Sequence, residues 1–530
     1  LVQRKTQTAK YWQERFVVDA EDIEHLYSLL LERNQPQSTD SLALSIVQHH
    51  CQAEEMTIRA ELQRGTLYQP KDSYQVGEQV VFPRFDYAAA TITGQRSGHN
   101  PQYGDFTVVQ VEFEANSGVR EFVADFLYPH PLNLEEGQSL AEAEGLASPQ
   151  ELHDLYKKNI HSKLLVALEE HEEFINFRGH WFLKGLLVPI HDGHLNIAEA
   201  VIDINDEPVP VDALLKDLEL PTDIPTETQA ISINFALNAD QRFENVGPKG
   251  QVLWYLRRLE PADVTQVPVQ LQPAELPFDL DQFDTELRRL VGEIDDEATD
   301  SNLIRSPISD AETAVITLNY PHRKSGTLPI IPKTATFFPE ADDHHVRITF
   351  VDKQSGQRIP GWVVSENKYV LGLGQWYAQN QLPAGAYISL AGTDDPLAII
   401  VDYQPVRLKR EWIRVALYRN GKLSFQLLKQ PITCEYDELM VIGISDPASI
   451  DAIWASSDYQ RKPLLTLLRQ IFPELAKLNP QGAVHAKTLY SAVNVVRRCP
   501  PGPIFHELST RACFIPMGHG YWTYDASIEA

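Results

Sequence analysis

Apolar and polar positions recur along the chain with two different periods, and the changes of period mark the expected domains. Ile23, Leu26, Tyr27, Leu29 and Leu30 follow Asp19 and Asp22 at helical spacing, the pattern of an amphipathic helix behind a capping carboxylate. Pro36, Ser38 and Thr39 then precede Leu42, Leu44, Ile46 and Val47, which predicts a second helix, and a polar third is expected from Glu54 to Gln63. Residues 1–65 therefore read as a helical domain, either a docking bundle or a helix-turn-helix. From Tyr68 the period becomes two. Residues 79–82, 89–92, 106–113 and 119–122 alternate or run apolar between turn residues at Gly77, Gly94, Gly98 to Pro101, Gly104 and Asn116 to Gly118. This predicts a small β-barrel over 66–130.

The entry to that barrel, Val76-Gly77-Glu78-Gln79-Val80-Val81-Phe82, resembles the start of SH3-like barrels of chromatin and transcription proteins. Barrels of this kind bind peptides or nucleic acid, or only space other domains. Helical periodicity returns at 150–261, with Leu152, Leu155, Ile160, Leu164, Leu165 and Leu168 ahead of a hairpin over 174–183. Helices are then expected from Leu195 to Ile202, Val211 to Leu218 and Ala230 to Asn238, closed by a hairpin of 242–247 and 252–256. Three helices and a two-stranded wing are the winged-helix plan. Residues 195–261 resemble the HARE-type helix-turn-helix, the winged helix of the delta subunit of bacterial RNA polymerase, of chromatin-associated proteins and of some restriction-system proteins. The resemblance rests on Ile197-Ala198-Glu199-Ala200, Pro208-Val209-Pro210-Val211, Asn238 to Phe243 and Trp254, and implies a place in a transcription or chromatin-type complex; the chain departs from the delta subunit in lacking its acidic C-terminal tail.

An aromatic strand, a glycine turn and a returning tryptophan recur three times, as Phe177, Gly179 and Trp181, as Phe243, Gly247, Gly250 and Trp254, and as Phe514, Gly518, Gly520 and Trp522. The third would close a winged helix over about 462–525, within a C-terminal α/β region of 431–530. Between them, 262–312 is Pro-rich and carries Asp295, Asp296, Glu297 and Asp300, the composition of an acidic linker. Residues 313–430 hold eight β-like runs separated by frequent turns and read as a second barrel-like domain. The expected fold class is multidomain α+β, with several winged-helix modules and two small β-barrel-like domains.

Charge refines this picture. The chain has 530 residues and a formal net charge of −27. Residues 1–330 hold 26 Lys and Arg against 54 Asp and Glu, whereas 331–530 hold 20 against 19, so any phosphate-binding surface is expected in the second part. Four cysteines without a paired spacing point to a reduced, cytoplasmic protein, and no apolar run suggests a membrane partner.

Basic residues gather at Arg407, Lys409, Arg410, Arg414 and Arg419, interleaved with Tyr403, Trp412 and Tyr418. Cations between aromatics suit phosphate and base contacts; the plain alternative is one solvated face of a strand. Arg497 and Arg498, at the end of an expected recognition-type helix, and Arg461-Lys462 extend the set, while His322-Arg323-Lys324 reads as a solvated basic loop. Asp352 with Glu366 and Lys368 has the composition of a Mg²⁺ nuclease site, but Asp352 stands at a turn and Pro360-Gly361 is expected to interrupt the pairing between them. His180, His191 and His194, and His49-His50-Cys51, lack the geometry of a shared metal site. Neither a cofactor nor a metal is expected. The sequence thus suggests a noncatalytic DNA- or RNA-binding, transcription or chromatin-associated protein; a scaffold that docks a protein partner, and a defence-system nuclease, are the alternatives.

Overall fold

The computed structural model describes residues 4–113, 119–134, 146–299, 312–419 and 421–528. It is mixed α+β with several sheets. The chain divides into two compact units, residues 1–192 with 219–236, and residues 193–218 with 237–530. The segment 195–261 is therefore shared between units. No helix among the described residues is long and apolar enough to cross a membrane.

In the first unit, helices Ala20–Arg33, Thr39–Leu62 and Pro149–Glu169 enclose Trp12, Phe16, Leu26, Leu30, Leu42 and Leu164. Asp19 and Ser148 each close a capping box, which satisfies the first free N–H groups of their helices. The two helices expected between 39 and 63 are one, because no glycine or proline interrupts the run from Leu42 to Leu62. The five-stranded sheet that follows runs in sequence order from Thr66–Leu67 to Val119–Ala124. Its strand Ala88–Asn100 passes through both glycines expected to be turns: the register slips at Ile92/Gly94, and a Cβ on Gly98 would stand 2.6 Å from the Phe106 ring. Gly94 is a bulge and Gly98 makes room for an aromatic neighbour.

The second unit is built around a seven-stranded sheet. Its order is Thr313–Thr317, Tyr387–Ala391, Ala398–Tyr403, Val346–Asp352, Arg358–Val364, Tyr369–Leu371 and Thr327–Pro329, antiparallel except where Val346–Asp352 meets Ala398–Tyr403. Among the described residues, the first and last strands of both large sheets are not hydrogen-bonded to each other. Pairing continues through Thr349↔Pro360 and Ile348↔Gly361, so the expected interruption does not occur.

One element order occurs three times, helix, short extended segment, helix, helix, hairpin, with the five-stranded sheet inserted between the second and third helices of the first instance. In each case the residue two positions before the second helix pairs with the hairpin's tryptophan. Gln37 pairs with Trp181 ahead of helix Thr39–Leu62, Val209 bridges to Trp254 ahead of Val211–Leu214, and Val484 pairs with Trp522 ahead of Ala486–Asn494. The tryptophans are 1%, 1% and 6% exposed, so each ties the hairpin to the start of a helix from within the core.

The acidic linker expected over 262–312 contributes, where described, a helix to the second unit's core; 300–311 lie outside the described residues. Helix Thr285–Ile294 buries Leu287, Leu290, Val291 and Ile294 in the cluster that holds Leu489, Ile504 and Phe505. Asp296 and Glu297, directly after it, are buried against Arg498. Proline and acidic composition concealed an amphipathic helix only ten residues long.

Candidate nucleic-acid interface

Strands Pro405–Arg419 and Lys422–Cys434 form a long antiparallel ribbon, with Ile442–Ile444 parallel to the first strand. The half near the hairpin end buries Ile413, Val415, Ala416, Leu417 and Phe425. Beyond it, from Trp412 back to Arg407, the first strand is mostly exposed. Alternation places Arg410, Trp412 and Arg414 on one face, opposite Pro431, Lys429 and Leu427. Trp412 is 62% exposed, and the Lys429 ammonium lies 5.6 Å from its ring centroid.

Arg407, Lys409, Arg410, Arg419, Lys422 and Lys429 are all exposed. None of these six forms an ion pair with a described residue, although in the rest of this acidic chain arginines such as Arg96, Arg242, Arg258, Arg289 and Arg511 are held by carboxylates. Glu411 is the only acidic residue on the two strands. At the hairpin end, Arg419, Lys422 and Lys462 line a cavity of about 660 Å³ with Ser424, Tyr459 and Glu474. Glu474 is already paired with Lys477. Unpaired cations, an open cavity and an exposed indole are what a ribbon needs to follow a phosphate backbone and stack on a base.

Four residues expected at the interface, Arg407, Lys409, Arg410 and Arg419, lie on this ribbon. Arg414 is half-buried, donates to the Glu438 carbonyl, and has its pKa lowered by burial; it braces the ribbon's base. Arg497 and Arg498 are corrections. They follow helix Ala486–Asn494 but are 4% and 1% exposed. Arg497 donates to the Lys462 carbonyl at 2.6 Å. Arg498 donates to both oxygens of Asp296, at 2.8 and 2.6 Å, and to Glu297 at 2.6 Å. Burial would raise Glu297, but Arg498 and His322 outweigh it and hold the carboxyl well below its ordinary range. No phosphate reaches these guanidinium groups. The loop expected at 322–324 is likewise a helix, Tyr320–Ser325, with His322 buried 3.1 Å from Glu297 and Lys324 paired to Asp451. Sequence reading missed Lys422 and Lys429; the signal was there, because antiparallel pairing of the two runs places Lys429 opposite Trp412.

Comparison of the chain with protein-family models, curated proteins and solved structures finds no match.

Three further groups of carboxylates belong to other elements than the two ribbon strands. Asp352 and Glu366 stand at opposite ends of an antiparallel pair, since Val351 faces Arg358 while Val346 faces Val363, and they do not share a site. Asp352 is buried and accepts from the Ser355 backbone N–H and hydroxyl, closing its own turn. Asp40 meets His153 and His161, but Lys157 reaches both its oxygens, at 2.6 and 2.8 Å, and lowers its pKa by hydrogen bonding. A cation is already in place there. Glu244, Glu260 and His345 form the third cluster, with ligand atoms within 4.8 Å of one another. Of the remaining histidines, His50 bonds Asp22 and Tyr11, and His49 stacks on His25.

Proposed function

We propose that the protein binds nucleic acid through the 405–434 ribbon, and that the three repeated helix–hairpin units are winged-helix modules carrying it within a larger complex. The observation that carries the reading is the set of six exposed cations without carboxylate partners among the described residues, on two strands of a chain whose net charge is −27. A two-stranded ribbon fits the major groove of a duplex, and phosphate contacts of this kind bind with little sequence preference. The winged-helix assignment is supported by the common element order and by the thrice-repeated pairing of a tryptophan with the segment before the second helix. It includes residues 195–261.

The modules themselves are poorly suited to reading DNA. Helix Thr226–Ala239, third in its unit, has no Lys or Arg, and helix Pro501–Thr510 buries Pro501, Gly502, Pro503, Ile504, Phe505 and Leu508. This favours a docking role for the modules and leaves nucleic acid to the ribbon. The test is fluorescence anisotropy of labelled duplex and single-stranded DNA and RNA against the full chain at two salt concentrations. Binding that weakens steeply with salt supports the reading, and no binding at low salt refutes it.

A further inference from the structure

Glu244, Glu260 and His345 come from three separate segments. Glu244 stands on hairpin strand Phe243–Asn245, Glu260 follows the helical turn Arg257–Leu259, and His345 precedes strand Val346–Asp352. The Arg347 N–H donates to the Val246 carbonyl at 2.9 Å and fixes the hairpin beside that strand. The His345 ring is held edge-on to Trp362 at 5.4 Å.

The side chains of His345 and Glu260 are only 4% and 1% exposed, yet His345 Nε2 and both carboxylate oxygens of Glu260 have no hydrogen-bond partner. Arg257 takes one oxygen of Glu244, at 3.1 Å, and leaves the other facing His345. Two enclosed carboxylates beside an unpaired imidazole nitrogen form a costly arrangement unless a positive charge joins them.

The distances say which kind of charge. Nε2 lies 3.4 Å from Glu260 and 3.9 Å from Glu244. These are long for hydrogen bonds, which cluster at about 2.7–3.2 Å. Ligands bound about 2.1 Å from one ion in tetrahedral geometry stand roughly 3.4 Å apart. We propose that Glu244, Glu260 and His345 bind one divalent transition-metal ion of the zinc class, which clips the second wing hairpin to the seven-stranded sheet. One imidazole with two carboxylates suits such an ion better than Mg²⁺ or Ca²⁺, which prefer oxygen alone. The Asp40 cluster lacks this property, because Lys157 already neutralises its carboxylate.

The test needs no nucleic acid. Full-length protein stripped with EDTA is titrated with Co²⁺, followed by its visible d–d absorption, and its melting is measured with and without Zn²⁺. The expected result is one Co²⁺ per chain, displaced by Zn²⁺, and a higher melting temperature with Zn²⁺ but not with Mg²⁺. Glu260→Gln and His345→Ala should each weaken Co²⁺ binding by more than about tenfold, while His161→Ala leaves it unchanged. Circular dichroism checks folding, and the near-isosteric Glu260→Gln decides the matter if His345→Ala does not fold. Absence of a Co²⁺ spectrum, binding that persists in Glu260→Gln, or loss of binding in His161→Ala would overturn the proposal.

Discussion

The guanidinium of Arg498 closes on the carboxylate of Asp296 across 202 positions of sequence, in a pair from which solvent is excluded on both sides. Tyr490 donates to the same carboxylate at 2.6 Å, and Asn494 accepts from Arg498 at 3.2 Å. The pair therefore anchors the end of helix Thr285–Ile294 to the residues after helix Ala486–Asn494. Removing one partner leaves a buried charge unmet. Arg498→Ala should lower stability by about 3–5 kcal/mol in urea unfolding, and a loss below about 1 kcal/mol would show that the network is dispensable.

His485 carries a pH dependence whose sign follows from its cap. Its Nδ1 accepts from the Lys487 N–H at 3.1 Å, which requires an unprotonated nitrogen, and Gly520 packs so closely that a Cβ there would stand 2.6 Å from Nε2. Burial, and then Lys487, lower its pKa from 6.5 to about 4, against the opposing pull of Asp437 and Glu286. The unfolded chain takes up a proton below pH 6.5 while the fold refuses it, so this stability is full above 6.5 and is lost as pH falls towards 4. The loss should reach about 3 kcal/mol at the acid end. Urea unfolding of wild type and His485→Asn across this window should show a steeper acid decline in wild type; parallel curves would remove His485 as the cause.

The three tryptophans that pair with the segments before second helices should behave alike. Trp181→Ala, Trp254→Ala and Trp522→Ala each remove a buried ring and the tie between hairpin and helix, at an expected cost of about 3–5 kcal/mol. Thermal melting of the three variants checks this. An unchanged melting temperature in any one of them would separate that hairpin from the other two.

These hairpins were also what the sequence displayed best. Phe–Gly–Trp spacing survives reading because a short hairpin must turn through glycines, at Gly179, Gly250 and Gly518, all with positive φ, and return an aromatic to the core. Other features were hidden for physical reasons. Asp295, Asp296 and Glu297 look like a solvated run until Arg498 and Lys333 are brought to them from far along the chain. Arg497 and Arg498 look like a basic patch for the same reason, since a single sequence does not reveal which charges are paired. The ribbon's cations were legible because they follow one another along a strand whose outer part is exposed on both faces, whereas Glu244, Glu260 and His345 meet only through the packing of a hairpin on a sheet.

Charge reversal on the 405–434 ribbon decides whether its exposed cations bind phosphate. The affinity of Arg407→Glu/Lys409→Glu/Arg410→Glu for labelled duplex DNA is compared with wild type over a range of salt. All three residues are exposed and bear no carboxylate partner among the described residues, so folding should be preserved. Binding should weaken similarly for unrelated sequences, and the slope of log affinity against log salt should flatten by about 0.9 for each phosphate no longer neutralised. A folded variant that binds as tightly as wild type, with the same slope, would show that these cations do not hold phosphate.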